Sequence, residues 1–87
     1  TRITKNGALG DAHAELGDKD KALDFYKSAA SGDNELLTPY YLYKLALLYH
    51  AQGKSKEAAE QLEIIKNKYP ESNEFRDAEK LIARFQQ

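Results

Sequence analysis

The sequence predicts an all-α fold: an α-α solenoid of five helices, arranged as two helical hairpins followed by a C-terminal capping helix. Apolar residues recur at helical spacing along the 87-residue chain. The chain contains no valine and no alternating apolar run, so no segment is predicted as a strand. Similar residue types also return after 36 positions, which is typical of stacked helical repeats. We therefore expect a single repeat domain over residues 1–87.

The first two helices are expected to form one repeat over about residues 3–34. Gly7 and Gly10 weaken the first helix, because glycine in a helix interior costs about 1 kcal/mol relative to alanine. Gly17 ends that helix, and Asp18 or Asp20 is expected to cap the second through a side-chain oxygen. The second helix covers about residues 19–31, and small and apolar residues form its inner face: Ala22, Leu23, Tyr26, Ala29 and Ala30.

The second repeat is expected over about residues 39–70. Thr38 is predicted as the N-cap of the third helix, with Pro39 at its first position, where a missing N–H does no harm. Gly53 ends the third helix because glycine adopts the left-handed conformation without a Cβ penalty. The fourth helix, about residues 55–68, stops before Pro70, since a proline biases the preceding residue away from helical dihedrals.

The hairpin of the second repeat is predicted to cross at two alanines. Ala46 and Ala58 lie on the apolar faces of the third and fourth helices. A small side chain at a crossing lets two helix axes approach to about 8–10 Å. The fifth helix, about residues 73–86, then caps the stack with a row of apolar side chains, namely Phe75, Ala78, Leu81, Ile82 and Phe85.

The repeated residues carry a resemblance to a known family. The second unit reads Leu45-Ala46-x-x-Tyr49, then Gly53, Ala58, Leu62 and Pro70, and the first unit follows it with Leu9-Gly10-x-x-His13, Gly17, Ala22 and Tyr26. This pattern resembles the tetratricopeptide repeat (TPR) family. The first unit departs from it at three places: Asn6 replaces a large residue, His13 an aromatic one, and Asn34 the proline.

The resemblance implies a protein-interaction module that binds a peptide or helix in a groove lined by the first helix of each unit. Carried over residue by residue, the groove would be lined by Asp11, Ala14, Tyr40, Tyr43, Leu47, His50, Glu79 and Ala83. Tyrosine suits such a surface because it offers a large contact area with few rotatable bonds. The competing interpretation is that the tyrosines and Leu47 pack against neighbouring units, since the third helix is apolar nearly all round.

The sequence excludes one mode of partner binding and leaves one alternative function open. Some TPR domains hold a partner's C-terminal carboxylate with lysine, asparagine and arginine. The matching positions here are Gly7, Asp11, Tyr43 and Leu47, so that clamp is absent. The alternative function is structural: exposed apolar surface at one end of the stack would mediate self-association or dock other repeats of a larger TPR protein.

Composition argues against other function classes. The net charge of −1, with acids and bases interleaved, argues against a nucleic-acid surface, which needs clustered lysine and arginine. No apolar run approaches the length of a membrane span, and we expect no membrane contact from this chain. There are no cysteines, no metal-ligand spacings and no catalytic or phosphate-binding motifs. We therefore expect no metal, no cofactor and no enzymatic activity.

The origin of the chain is only partly indicated by its sequence. The chain begins at Thr1 and lacks methionine, which favours a fragment of a longer protein. Its ending, KYPESNEFRDAEKLIARF, looks like the Tyr-Pro-x-Ser join of bacterial envelope TPR proteins, including lipoprotein and membrane-anchored forms. That resemblance is compatible with a periplasmic or membrane-anchored parent, and the sequence leaves a cytoplasmic one open.

Overall fold

The computed structural model describes residues 1–86, which form five α-helices and no strand. The helices are α1 (Arg2–Glu15), α2 (Lys19–Ala30), α3 (Leu37–Ala51), α4 (Ser55–Lys68) and α5 (Phe75–Phe85). Each helix packs against the next one along the chain, and α1 also contacts α3. The predicted all-α solenoid of two hairpins and a fifth helix is confirmed in this part of the chain.

The two hairpin turns are made by the glycines that the sequence predicts. Gly17 and Gly53 adopt φ values of 81° and 78°, the left-handed conformation that glycine tolerates best. Asp18 caps α2, since its Oδ1 accepts a hydrogen bond from the backbone N–H of Lys21 at 3.3 Å. The end of α4 also lies where the sequence places it, at Lys68.

The predicted start of α3 is wrong. The helix begins at Leu37, and Thr38 is a buried residue of its first turn rather than its N-cap. The hydroxyl of Thr38 donates to the carbonyl of Gly32 at 2.9 Å and accepts from the N–H of Asn34 at 2.8 Å. The side chain of Asn34 accepts from the N–H groups of Leu36 and Leu37 and so satisfies the free donors of this helix start.

The two alanines of the predicted α3–α4 crossing lie in the core, and α3 packs against α4. Ala46 and Ala58 are both fully buried, which permits a close approach of the two helices. One continuous core joins all helices from α2 to α5, and α1 contributes partly buried side chains to it. The two interior glycines of α1 are buried and have a packing role. Gly7 lies against the ring of Tyr41 and Gly10 against that of Tyr26.

None of the helices formed by residues 1–86 combines the length and the apolar character that crossing a membrane requires.

Candidate partner-binding groove

One side of α3 carries a row of aliphatic and aromatic side chains, including one imidazole, that the core covers only in part. Its members recur at helical spacing, and we call them the α3 stripe: Leu36, Tyr40, Tyr43, Leu47 and His50. Leu36 is 77% exposed, Tyr40 40% and Leu47 42%. Tyr43 is half-buried and packs against the edge of the core. At about 100° per residue, the stripe lies roughly opposite Leu45, which is buried.

A polar cluster joins α1 to α3 on one flank of the stripe. The ammonium of Lys44 donates to Oδ1 of Asp11 at 2.8 Å, and the hydroxyl of Tyr26 donates to the same carboxylate oxygen. The Lys44 ammonium also lies 4.9 Å from the ring centroid of Tyr40, within the range of a cation–π interaction. These contacts fix the side chain of Lys44 against α1 and leave its charge paired.

The pKa values of the cluster follow from these contacts. Burial tends to raise the pKa of Asp11, but the hydrogen bonds from Lys44 and Tyr26 and the charge of Lys44 outweigh it and hold the pKa below its ordinary value. Burial opposes the charge of Lys44, but its hydrogen bond to Asp11 and the carboxylate charge raise its pKa. Burial and the bond to Asp11 raise the pKa of the Tyr26 phenol. At neutral pH the cluster is therefore a fixed ion pair with a neutral phenol.

The other flank of the stripe faces α5. The imidazole of His50 stacks on the ring of Phe85, with centroids 4.1 Å apart and an interplanar angle of 11°. Two turns earlier on α3, burial raises the pKa of Tyr43, and the charges of Asp77 and Glu74 raise it further. These two carboxylates thus lie within electrostatic reach of the Tyr43 hydroxyl.

The valley between α3 and α5 opens into a cleft at the start of both helices. The cleft has a volume of about 460 Å³ and is formed by the α2–α3 and α4–α5 loops. Its walls carry four carboxylates, one lysine and an exposed leucine: Asp33, Glu35, Glu71, Glu74, Lys68 and Leu36. Tyr69 also lines it, and its hydroxyl donates to Oδ1 of Asp33 at 2.7 Å. The cleft is therefore acidic, and Leu36 gives it an apolar edge.

The sequence-predicted groove residues fall into two groups. Tyr40, Tyr43, Leu47 and His50 share one side of α3, as their spacing predicts. The others lie apart from that row: the Asp11 carboxylate is held by Lys44, Ala14 is half-buried against the core, and Glu79 and Ala83 are exposed on α5. No observation tests binding at any of them, so their role remains a prediction.

Sequence reasoning missed several residues of this surface. Leu36 continues the spacing of the stripe by one turn, but the predicted start of the helix at Pro39 excluded it. Nothing in the sequence pairs Lys44 with Asp11, because the two residues are 33 positions apart. Glu74 and Asp77 are ordinary acids of a helix start in the sequence, and only the packing of α5 brings them to Tyr43.

The surface around the stripe combines apolar, aromatic and charged side chains. The side chains offer apolar and aromatic area, a fixed ion pair on the α1 flank and carboxylates on the α5 flank. Among residues 1–86, no three histidine, aspartate or glutamate side chains are placed to hold a metal ion.

We compared the chain with models of known protein families. Two family models, each described as tetratricopeptide repeat, match residues 6–34 and residues 40–72 and together span more than two thirds of the chain. The chain belongs to the tetratricopeptide repeat family. TPR units generally mediate protein–protein interactions and are typically scaffolds without catalytic activity. No curated protein and no solved structure matches this TPR chain significantly.

Proposed function

We propose that this TPR domain binds a peptide or helix of a partner protein along the α3 stripe. The observation that carries the proposal is the exposure of Leu36, Tyr40 and Leu47 in one row on a helix whose opposite face is buried. Large apolar side chains at regular spacing on one face form the kind of surface that captures an amphipathic helix or an extended segment. Tyrosine and leucine lose little side-chain entropy on binding, which favours affinity.

The flanks of the stripe support the same proposal. On one side, the Lys44–Asp11 ion pair bridges α1 and α3 and forms a wall. On the other side, the His50–Phe85 stack holds α5 beside α3 at the far end of the stripe. A bound segment would therefore lie between two walls that are already in place, which limits the ordering that binding requires.

The decisive experiment compares three immobilised baits in a native lysate. They are the parent chain, Tyr40→Ala/Leu47→Ala on the stripe, and Leu16→Ala/Ile64→Ala, which removes two exposed apolar side chains away from it. Circular dichroism must first show equal helicity. A protein that the parent and the Leu16/Ile64 variant retain, and the stripe variant loses, supports the proposal. A protein that all three retain equally excludes the stripe as its binding site.

The structure also favours testing a second function, self-association through the end of the stack. Phe85 of α5 and Ala59 of α4 line a second cleft of about 450 Å³ between these two helices, and charged side chains, among them Lys56 and Glu63, surround them. A second copy placed there would bury this surface. Sedimentation velocity over a wide concentration range would show a dimer that Phe85→Ser abolishes, whereas a monomer at all concentrations excludes this function.

A further inference from the structure

We propose that the segment bound by the α3 stripe is basic and amphipathic, with lysine or arginine side chains on the edge that faces α5. This inference rests on the proposed function, because it assigns the chemistry of the partner to the same surface. It follows from the charges around the stripe and from the shape of the valley between α3 and α5.

The apolar component sets the kind of segment. The stripe extends from Leu36 to His50, which at 1.5 Å per residue is about 21 Å along the helix axis. A partner helix of about 14 residues covers that length with apolar side chains at three- and four-residue spacing. The two most exposed aliphatic members, Leu36 and Leu47, lie near its two ends.

The charged residues around the stripe indicate the sign of the charge that the partner segment carries. Glu35, Glu71 and Glu74 line the acidic cleft, and Asp77 lies within electrostatic reach of Tyr43. The ion pairs among residues 1–86 involve other groups, so these four carboxylates lack a cationic partner there. Of the nearby lysines, Lys44 is held by Asp11, which leaves Lys68 as the lysine of the cleft wall. An acidic segment at this flank would place like charges together, whereas a basic one would pair them.

The geometry of the valley indicates where the basic side chains would lie. α1 approaches α3 so closely that Gly7 contacts the ring of Tyr41, and the Lys44–Asp11 pair closes that flank. α3 and α5 meet at the His50–Phe85 stack, but their starting ends are separated by the cleft. A segment on the stripe therefore has room on the α5 side near Leu36 and Tyr40, where the carboxylates are.

The test uses three fluorescein-labelled helical peptides of about 14 residues. All carry the same leucine and phenylalanine positions at helical spacing, and their remaining positions are lysine, glutamine or glutamate. Fluorescence anisotropy with the parent chain is measured at about 50 mM and about 500 mM NaCl, because screening weakens exposed ion pairs. We expect the lysine peptide to bind about five-fold tighter than the glutamine peptide in low salt, and this ratio to approach one in high salt.

Matched variants distinguish the carboxylates on the α5 flank of the stripe from non-specific electrostatic attraction. Glu74→Gln/Asp77→Asn is expected to weaken the lysine peptide about five-fold and to leave the glutamine peptide unchanged. Asp24→Asn/Glu60→Gln removes the same charge from exposed sites on α2 and α4 and should change neither peptide. The peptide series and its salt dependence need only the parent chain, so they remain decisive if a variant folds poorly.

The outcomes distinguish this inference from the proposed function. Equal binding of all three peptides, lost in Tyr40→Ala/Leu47→Ala, would retain the stripe as a binding surface and overturn the basic partner. Tighter binding of the glutamate peptide would overturn it as well. Absence of binding by every peptide would also overturn it, while the capture experiment with the stripe variant would still decide the proposed function.

Discussion

Replacing Gly10 by alanine should destabilise the domain, although alanine is the better helix former. An ideal Cβ at Gly10 would lie 2.6 Å from both Cδ1 and Cε1 of Tyr26. Carbon atoms prefer a separation of about 3.5–4.0 Å, so relief requires a movement of about 1 Å. The clash involves the edge of the ring and reaches its Cγ, which lies 3.2 Å from the ideal Cβ. Rotation of the ring about the Cβ–Cγ bond of Tyr26 does not move Cγ, so it relieves the clash poorly.

The surroundings of Tyr26 restrict that movement. Tyr26 is buried, its hydroxyl is bound to Asp11, and its ring stacks near that of Tyr41, with centroids 6.3 Å apart. Overpacking of this kind costs about 1–3 kcal/mol, and the higher helix propensity of alanine offsets about 1 kcal/mol of it. We expect a net loss of about 1 kcal/mol in the free energy of unfolding. For a domain of this size that corresponds to a melting temperature lower by about 4–8 °C.

Thermal and urea unfolding, monitored by circular dichroism, would measure this loss in the free energy of unfolding. Ala12→Gly, at an exposed position of the same helix, provides the scale of helix propensity and should lose about 1 kcal/mol. Combining Gly10→Ala with Tyr26→Leu should give a coupling above about 0.5 kcal/mol if the ring is the cause. A Gly10→Ala protein that melts above the parent would refute the close approach of α1 and α2 at this point.

Three further predictions concern the crossing, the polar cluster and the stripe. Ala58→Leu should lower the free energy of unfolding by about 1–3 kcal/mol in urea titrations, because Ala58 is fully buried at the α3–α4 crossing; an unchanged midpoint would contradict the packing. The pKa of Asp11 is lowered by its partners, so its contribution is present above a pH of about 4 and lost as pH falls through the folded value. Asp11→Asn should thus lose at most about 1 kcal/mol at pH 7, because the pair is partly exposed, and acid-unfolding curves should show this difference shrinking as pH falls below about 4. Tyr40→Ala/Leu47→Ala should change the melting temperature by less than about 4 °C, and a larger loss would assign these side chains to the core.

Local signals account for the part of the fold that the sequence predicts. Gly17, Gly53 and Pro70 mark the ends of helices by their own backbone preferences, so the boundaries at these residues agree with the structure. The predicted start of α3 is wrong because a second start signal precedes the one at Thr38 and Pro39. Thr38 and Pro39 form a common start signal, but the side chain of Asn34 accepts from the N–H of Leu37 at an earlier helix start, and the Thr38 hydroxyl donates to the carbonyl of Gly32 in the loop.

Non-local packing accounts for what the sequence could not predict. In the sequence, Gly7 and Gly10 are only residues that weaken a helix. In the structure they leave space for the rings of Tyr41 and Tyr26, which lie on other helices. The fully apolar composition of α3 likewise cannot show which side stays uncovered. Tyr40 and Tyr41 are neighbours of the same type, yet the first is exposed and the second buried.

The sequence also does not predict which charged residues surround the stripe. The pairing of Lys44 with Asp11 requires α1 and α3 to lie side by side, and the approach of Asp77 to Tyr43 requires the position of α5. Repeat periodicity locates the helices that line the surface. It does not give the sign of the charge at each flank, because exposed acids and bases follow no repeat in this chain.

The central claim, that the α3 stripe contacts the partner, is tested most directly by photo-crosslinking. A photoreactive phenylalanine analogue is placed at Tyr40 in one protein and at Ile64, an exposed site on α4, in another. Each is irradiated in native lysate, and the products are identified by mass spectrometry. We predict a crosslinked partner from position 40 that position 64 does not give. The same product from position 64 and none from position 40 would contradict the account.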